Sequence, residues 1–199
     1  VRDRRDRYFE VEGMAHAEKV LAEGRGAIVV TGYLGNWELL ASYFAWCGFP
    51  VAAIARKAHG LELDEILVDF RKRQGVDTIL RESPASASQI LRAMQANTLL
   101  AMLVDQDTRV QSLPVPFFGR SARTPIAAAS LAIRSELPVV MAFIQRRSRG
   151  GHRIHVHAPL AIARSSTAAD AGTIVSRSAN GGDVRTISPS GAIRKTTFG

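Results

Sequence analysis

One cysteine, Cys47, is all this chain of 199 residues contains, which rules out an internal disulfide. No histidine shares its motif, so a thiol nucleophile with an adjacent base is not expected, and an apolar, aromatic helix face assigns Cys47 to packing. Long apolar runs are also missing. No uninterrupted stretch reaches the roughly 20 residues that span a bilayer. The amino terminus is charged rather than signal-like, and the chain opens in a polar, helix-like segment without an initiating methionine. That leaves room for an anchor or targeting segment upstream. Internal repeats are absent, and acidic residues are outnumbered, with 18 Asp and Glu against 26 Lys and Arg.

The imbalance gives a formal net charge of +8, and the basic residues cluster: Arg2, Arg4, Arg5 and Arg7; Arg71, Lys72 and Arg73; Arg146, Arg147, Arg149 and Arg153. Such a surface favours anionic partners, among them phosphorylated lipid, an anionic membrane face, an acidic carrier protein and nucleic acid. Nucleic acid rests on charge alone and is not expected, because the aromatic residues lie on apolar faces rather than in a basic stacking array. A composition 46% hydrophobic and 22% charged is globular, with length for one sizeable core.

Strand and helix patterns alternate. Residues 9–23 read as a helix, 26–32 as a buried strand, 51–55 as a short strand and 61–74 as an amphipathic helix. A strand at 77–80, a helix at 85–96 and an apolar strand at 99–104 follow. Pro114, Pro116 and Gly119 mark a loop, after which Thr124 is placed as N-cap and Pro125 as first residue of a helix to about Ser135. Residues 138–144 form the next strand. His152 to His157 alternates as a final strand with Ile154 and Val156 inward, leaving His155 and His157 on a polar outer face; with no third ligand nearby, no metal site is expected. The pattern predicts an α/β sandwich around a largely parallel sheet flanked by helices. The core spans 1–163. From 164 to 199 the sequence loses any sustained apolar period and is expected to be disordered.

The run Thr31-Gly-Tyr-Leu-Gly-Asn-Trp-Glu38 follows the apolar Ala27-Ile-Val-Val30 and leads into a helix on which Leu39, Leu40, Tyr43 and Phe44 recur at helical spacing. A glycine turn between strand and helix can present N–H groups to a pyrophosphate, so a dinucleotide-binding α/β protein is one reading. Against it, the third glycine is missing and the next strand ends at Ala55-Arg56-Lys57 rather than on an acidic ribose ligand. Asp105 and Gln106 end an apolar strand, the side on which parallel sheets place ligands. Trp37 and Trp46 read as packing residues.

Gly35-Asn-Trp-Glu38 after a strand resembles the His-x-x-x-x-Asp/Glu motif of the bacterial lipid A biosynthesis (lauroyl/myristoyl) acyltransferase family. Val104-Asp-Gln-Asp107, Val115-Pro-Phe-Phe-Gly-Arg120, Ala122-Arg-Thr-Pro125 and Pro138-Val-Val-Met-Ala-Phe143 are similar to later blocks of that family, in order. The resemblance covers roughly residues 9 to 163. It implies a fold like that of the glycerol-phosphate acyltransferases, with an acyl tunnel lined from the Trp37 helix and the Pro114 to Phe118 loop. It also implies an O-acyltransferase moving a fatty acyl group from acyl carrier protein or acyl-CoA to a phosphorylated, lipid A precursor-like glycolipid, without cofactor or metal. The expected place is the cytoplasmic face of the inner membrane, on an anionic surface.

In the family the motif histidine is the general base and the carboxylate orients it. Glu38 matches the carboxylate, and Tyr33 stands where the histidine belongs. A phenol of pKa about 10 is neutral at pH 7 and a poor base, which raises the alternative of a catalytically impaired relative that binds lipid or acyl carrier. Arg71 resembles a substrate-binding arginine, suited to bidentate phosphate contact; a solvated helix face is its other reading. Asn36 orders the turn or donates to substrate, and Arg120 binds phosphate or caps its loop. The closing elements expected after Arg164 are not recognisable, and an out-of-frame tail is one account; the encoding DNA read in its other frames would show the missing ending.

Overall fold

The computed structural model describes residues 7–57, 61–106 and 110–160, together with the backbone of 185–187 and 193–195. Seven strands form one sheet in the order β1-β9-β8-β2-β5-β3-β4. These are β1 (Phe9–Glu12), β2 (Ala27–Thr31), β3 (Val51–Ala55), β4 (Val76–Leu80), β5 (Leu99–Leu103), β8 (Val139–Arg146) and β9 (His152–Val156). β2 is buried at every residue and lies between β5 and β8, parallel to both. Continuous apolar runs such as Ala27 to Val30 are what a strand covered on both faces requires. β8 to β9 is the antiparallel step, and β1 runs parallel to β9.

Helices cover both faces. On one, α1 (Met14–Ala22) and α2 (Trp37–Trp46) bury Ala17, Val20, Leu40, Tyr43 and Phe44 against Val29, Val51 and Leu99. α3 (Leu61–Arg73) packs beside β4. On the other face, α4 (Ser86–Gln95) sets Ile90 and Met94 over Ala52, Ile79 and Leu100. α5 (Ala127–Ser135) sets its alanine face, Ala128, Ala129 and Ala132, over Ile28, Val30 and Val139. The sequence expectation of an α/β, largely parallel sheet flanked by helices holds. No helix among the described residues is long and apolar enough to cross a membrane.

Four local expectations are corrected. Residues 9–12 are an edge strand rather than the start of a helix. Phe9 and Val11 pack on the core, while Glu10 and Glu12 face Arg153 and His155 in register on β9. This is a period of two that four residues barely express. Gly13, at φ 78, then turns the chain into α1 where a Cβ would lie 2.0 Å from the Val156 carbonyl oxygen.

The segment around Pro114, Pro116 and Gly119 is a hairpin, β6 (Ser112–Phe117) and β7 (Arg120–Pro125), rather than a loop. Phe118 and Gly119 both take positive φ, 46° and 76°, the two-residue turn that matches strand twist. Counting outward from that turn, Pro114 and Pro116 fall opposite Arg123 and Ser121, the pairs at which an antiparallel ladder uses no N–H. Pairing of Pro125 with Ser112 keeps Thr124 in β7, where its hydroxyl donates to the Ala122 carbonyl at 3.4 Å. Ile126 therefore occupies the cap expected at Thr124.

Cys47 sits one residue past α2 and is exposed rather than packed. The expectation of a disordered tail at 164–199 lies outside the described residues, apart from the antiparallel pair β10 (Arg185–Ile187) and β11 (Ile193–Lys195).

Candidate active site

The site loop leaves the carboxyl end of β2, and two glycines shape it. A Cβ on Gly32 would lie 2.5 Å from Asp105 Oδ2; without one, that carboxylate reaches over the backbone and accepts the Tyr33 N–H at 2.7 Å. Gly35, at φ 70, turns where a Cβ would meet the Ile144 carbonyl oxygen of β8 at 2.1 Å. The loop is thus fastened on one side to the end of β5 and on the other to β8. Asn36 then caps α2, its Oδ1 accepting the Leu39 N–H at 3.0 Å. Capping of this kind contributes about 1 kcal/mol.

Capping at Asn36 puts Glu38 in the first turn of α2, a favourable place for a negative charge. Its carboxylate turns toward α3, where Arg71 Nε donates to both oxygens at 3.0 and 3.1 Å and Nη2 donates to Oε1 at 2.5 Å. Only 7% of the Arg71 side chain and 20% of Glu38 remain exposed. The Arg71 guanidinium carbon also lies 5.3 Å from the centre of the Trp37 ring, near enough for a cation–π contribution of about 1 kcal/mol. Tyr33 meets the same indole edge-on at 5.8 Å, with nearly half of its own surface in solvent.

Five of the residues expected from sequence therefore converge: Tyr33, Asn36, Glu38, Arg71 and Asp105. Gln106 is exposed and follows directly on Asp105. Arg120 is exposed at the start of β7, opposite Phe117, and no described contact joins it to the loop. Arg71 is neither a solvated arginine nor one with its fork turned to solvent, because Glu38 takes up Nε and Nη2. Trp37, read from sequence as packing alone, links Tyr33 to Arg71. Its helical position beside Glu38 held the only clue, since the cation comes from another helix.

Beneath Trp37 an apolar cavity of about 20 Å³ lies between α2 and the sheet, lined by residues such as Thr31, Leu40, Ala41, Phe44, Ala53 and Ala101. It is roughly the space of one water. Short side chains at Ala41, Ala53 and Ala101 leave the gap. The Pro114 to Phe118 segment does not line it, being drawn out into the hairpin.

Away from the loop, His155 Nδ1 lies 3.0 Å from Glu12, and His157 faces the Phe143 ring. Among the described residues no group of three or more His, Cys, Asp or Glu is placed to hold a metal ion.

The fastened turn, the capped helix and the carboxylate lie at the carboxyl ends of the central strands of an α/β sandwich, the edge at which parallel-sheet proteins commonly place their ligands. Residues 2–180 match the family of bacterial lipid A biosynthesis acyltransferases, and the chain belongs to that family. It is similar to phosphatidylinositol mannoside acyltransferases of mycobacteria. The identity is 21% over 131 residues to that of Mycobacterium tuberculosis strain CDC 1551, covering 63% of this chain and 40% of the relative. To that of Mycolicibacterium smegmatis it is 23% over 129 residues, covering 64% and 42%. The chain spans about two fifths of the length of these curated relatives. Membership of this family replaces the dinucleotide-binding reading.

Proposed function

We propose that the Tyr33 to Glu38 edge is the centre of an O-acyltransferase that moves a fatty acyl group from acyl carrier protein or acyl-CoA to a hydroxyl of a glycolipid. The observation that carries this reading is the carboxylate of Glu38, held by Arg71 next to Trp37, whose side chain lines the apolar cavity, in a chain matched to the acyltransferase family over residues 2–180. The acceptor hydroxyl oxygen would attack the thioester carbonyl carbon. Collapse of the tetrahedral intermediate breaks the C–S bond, and the proton lost by the hydroxyl ends on the departing thiol. No metal takes part in this scheme. The acyl chain would enter beneath Trp37 by parting α2 from the sheet, since about 20 Å³ holds no chain as it stands.

A second reading is favoured by a specific pair of observations. Tyr33 is a phenol where the family resemblance puts the base, and Glu38 is occupied by Arg71 rather than turned to an imidazole. Guanidinium cannot serve as a base at neutral pH. On that reading the chain binds lipid or acyl carrier and turns over slowly or not at all.

Both readings place the protein at the cytoplasmic face of the inner membrane. Support for a peripheral contact comes from the tip of the β6–β7 hairpin, where Phe118 is 79% and Phe117 43% exposed beside Arg120. Exposed aromatic rings next to arginine suit an anionic lipid surface.

The test is a transfer assay from acyl carrier protein and from acyl-CoA to a glycolipid hydroxyl, with the unaltered protein, Tyr33→His and Glu38→Ala. Transfer by the unaltered protein that Glu38→Ala removes supports the enzyme. Silence that Tyr33→His relieves, by a factor of about 10² to 10⁴ for a restored general base, supports the impaired relative. Silence in all three removes the transferase reading, and absence of lipid or acyl carrier binding by the unaltered protein removes the impaired relative as well.

A further inference from the structure

We infer that the turn joining β8 to β9 forms a phosphate-binding cleft, separate from the Glu38–Arg71 pair. Arg146, Arg147, Arg149 and Arg153 line a concavity of about 280 Å³ together with Gln145 and Ser148. The turn that gathers them is tight. Arg147 N–H donates to the Gly151 carbonyl at 3.0 Å and Gly150 N–H to the Arg147 carbonyl at 3.2 Å. Gly151, at φ 76, sits where a Cβ would be 2.6 Å from the Tyr8 carbonyl oxygen, so the turn is pinned against the segment leading into β1.

The charge there is poorly compensated. Glu10 is the one carboxylate paired with these arginines among the described residues, accepting from Arg153 Nη2 at 2.9 and 3.0 Å and lying 3.4 Å from Arg147 Nε. The hydrogen bond from Arg153 holds the Glu10 carboxyl below its ordinary range, with Arg153 and Arg147 adding Coulomb attraction. Arg146 and Arg149 are exposed and have no ion pair among the described residues, and Arg153 Nε is buried without a hydrogen-bond partner. Four guanidinium groups around one concavity repel each other and invite an anion. Planar N–H forks fit the oxygens of a phosphate better than a carboxylate-free solvent shell would use them.

Position gives the cleft a use. The site loop rests on β8 at the Ile144 carbonyl, beneath Gly35, and Gln145 and Arg146 follow immediately. A phosphate held there lies at the same sheet edge as Tyr33 and Glu38. It would belong to a molecule reaching the site loop, either a lipid headgroup or the phosphorylated end of a soluble acyl donor; this use rests on the reading proposed above, whereas binding itself does not.

The test measures binding without turnover, on the full chain. Coenzyme A and its 3′-dephospho form are titrated calorimetrically, and vesicles of phosphatidylcholine with and without one fifth phosphatidic acid are sedimented with the protein. Each is repeated with Arg146→Ala/Arg149→Ala and with the corresponding double lysine substitution; both positions are exposed, and retained circular dichroism and melting temperature verify the fold. Expected is at least a tenfold loss of affinity in the alanine variant in one arm, with partial retention by lysine. Loss in the coenzyme arm, dependent on the 3′-phosphate, identifies the donor as the source; loss in the vesicle arm identifies the headgroup. No binding in either arm, or variants that bind like the unaltered protein, overturns the site. An inactive transferase that still binds phosphate through these arginines would sink the transfer reading and leave the cleft standing.

Discussion

Arg71 spans both carboxylate oxygens of Glu38, at 2.5 to 3.1 Å, from a helix 33 residues further along the chain. Together with the Arg71–Trp37 contact it ties α3 to α2, and it fixes the carboxylate at the edge of the sheet. Removing one member of such a pair strands the other in a water-poor place. Arg71→Ala should lower stability by about 3 kcal/mol, the low end for a buried pair because Glu38 keeps a fifth of its side chain in solvent. Glu38→Leu/Arg71→Met should be less destabilised than the two single changes added together. Urea denaturation of the four proteins decides it, and strict additivity would remove the coupling.

The two loop glycines are predicted to differ. In Gly32→Ala the new methyl group meets the end of a flexible side chain, Asp105, which can swing away at the expense of the Tyr33 N–H bond. A cost of about 1–2 kcal/mol follows. Gly35→Ala meets the backbone carbonyl of Ile144 in a conformation that L side chains rarely adopt, and should cost about 3 kcal/mol. Combining Gly32→Ala with Asp105→Ala should cost less than the sum. If Gly35→Ala proved as mild as Gly32→Ala in thermal unfolding, the close packing of the loop on β8 would be wrong.

What the sequence disclosed depended on the length over which a pattern runs. β2 and β5 are unbroken runs of five largely apolar residues and α2 carries ten residues of helical spacing, so the sheet and the strand-turn-helix unit around Glu38 were legible. β1 offers only Phe9 and Val11 as inward positions, and a neighbouring helix absorbed it. Pro114 and Pro116 signalled a loop because their harmless positions in the hairpin depend on register, which only the pairing partner supplies. At the site, Glu38, Tyr33 and Asn36 are local to one motif. The pairing of Arg71 with Glu38 and the reach of Asp105 to Tyr33 cross 33 and 72 residues and depend on how β3, β4 and β5 order themselves.

The β6–β7 tip should act at a membrane without bearing on the fold. Phe118 is the most exposed large hydrophobic residue described, and its ring meets that of Phe117 edge-on at 4.6 Å. Serine at both positions should change folding stability by no more than about 0.5 kcal/mol. Partitioning onto anionic vesicles should fall by about tenfold for each ring that is buried in lipid, since transferring part of a phenylalanine is worth about 1.4 kcal/mol. Co-sedimentation reads this directly. Unchanged partitioning in a folded Phe117→Ser/Phe118→Ser protein would show that the tip stays in water.

His157 gives the fold a dependence on acid. Burial against the sheet, with the Phe143 ring 6.0 Å away, lowers its pKa from the ordinary value, and repulsion from His155 and His16 acts in the same direction. The titratable groups facing it include these two histidines, and Glu12 lies 3.0 Å from His155 Nδ1. Well above pH about 6.5 the ring is neutral in both folded and unfolded chains and contributes no pH dependence. As pH falls below that value the unfolded chain takes up a proton that the folded one resists, so stability drops until the folded pKa is reached, and then levels off. Much of the residue is exposed, so solvent screening keeps the effect small. Urea midpoints of the unaltered protein and His157→Gln, compared between pH 7.5 and 5, should diverge on acidification with the unaltered protein losing more. Curves that stay parallel, or a gain in the unaltered protein, would mean that the folded state does not oppose protonation of this ring.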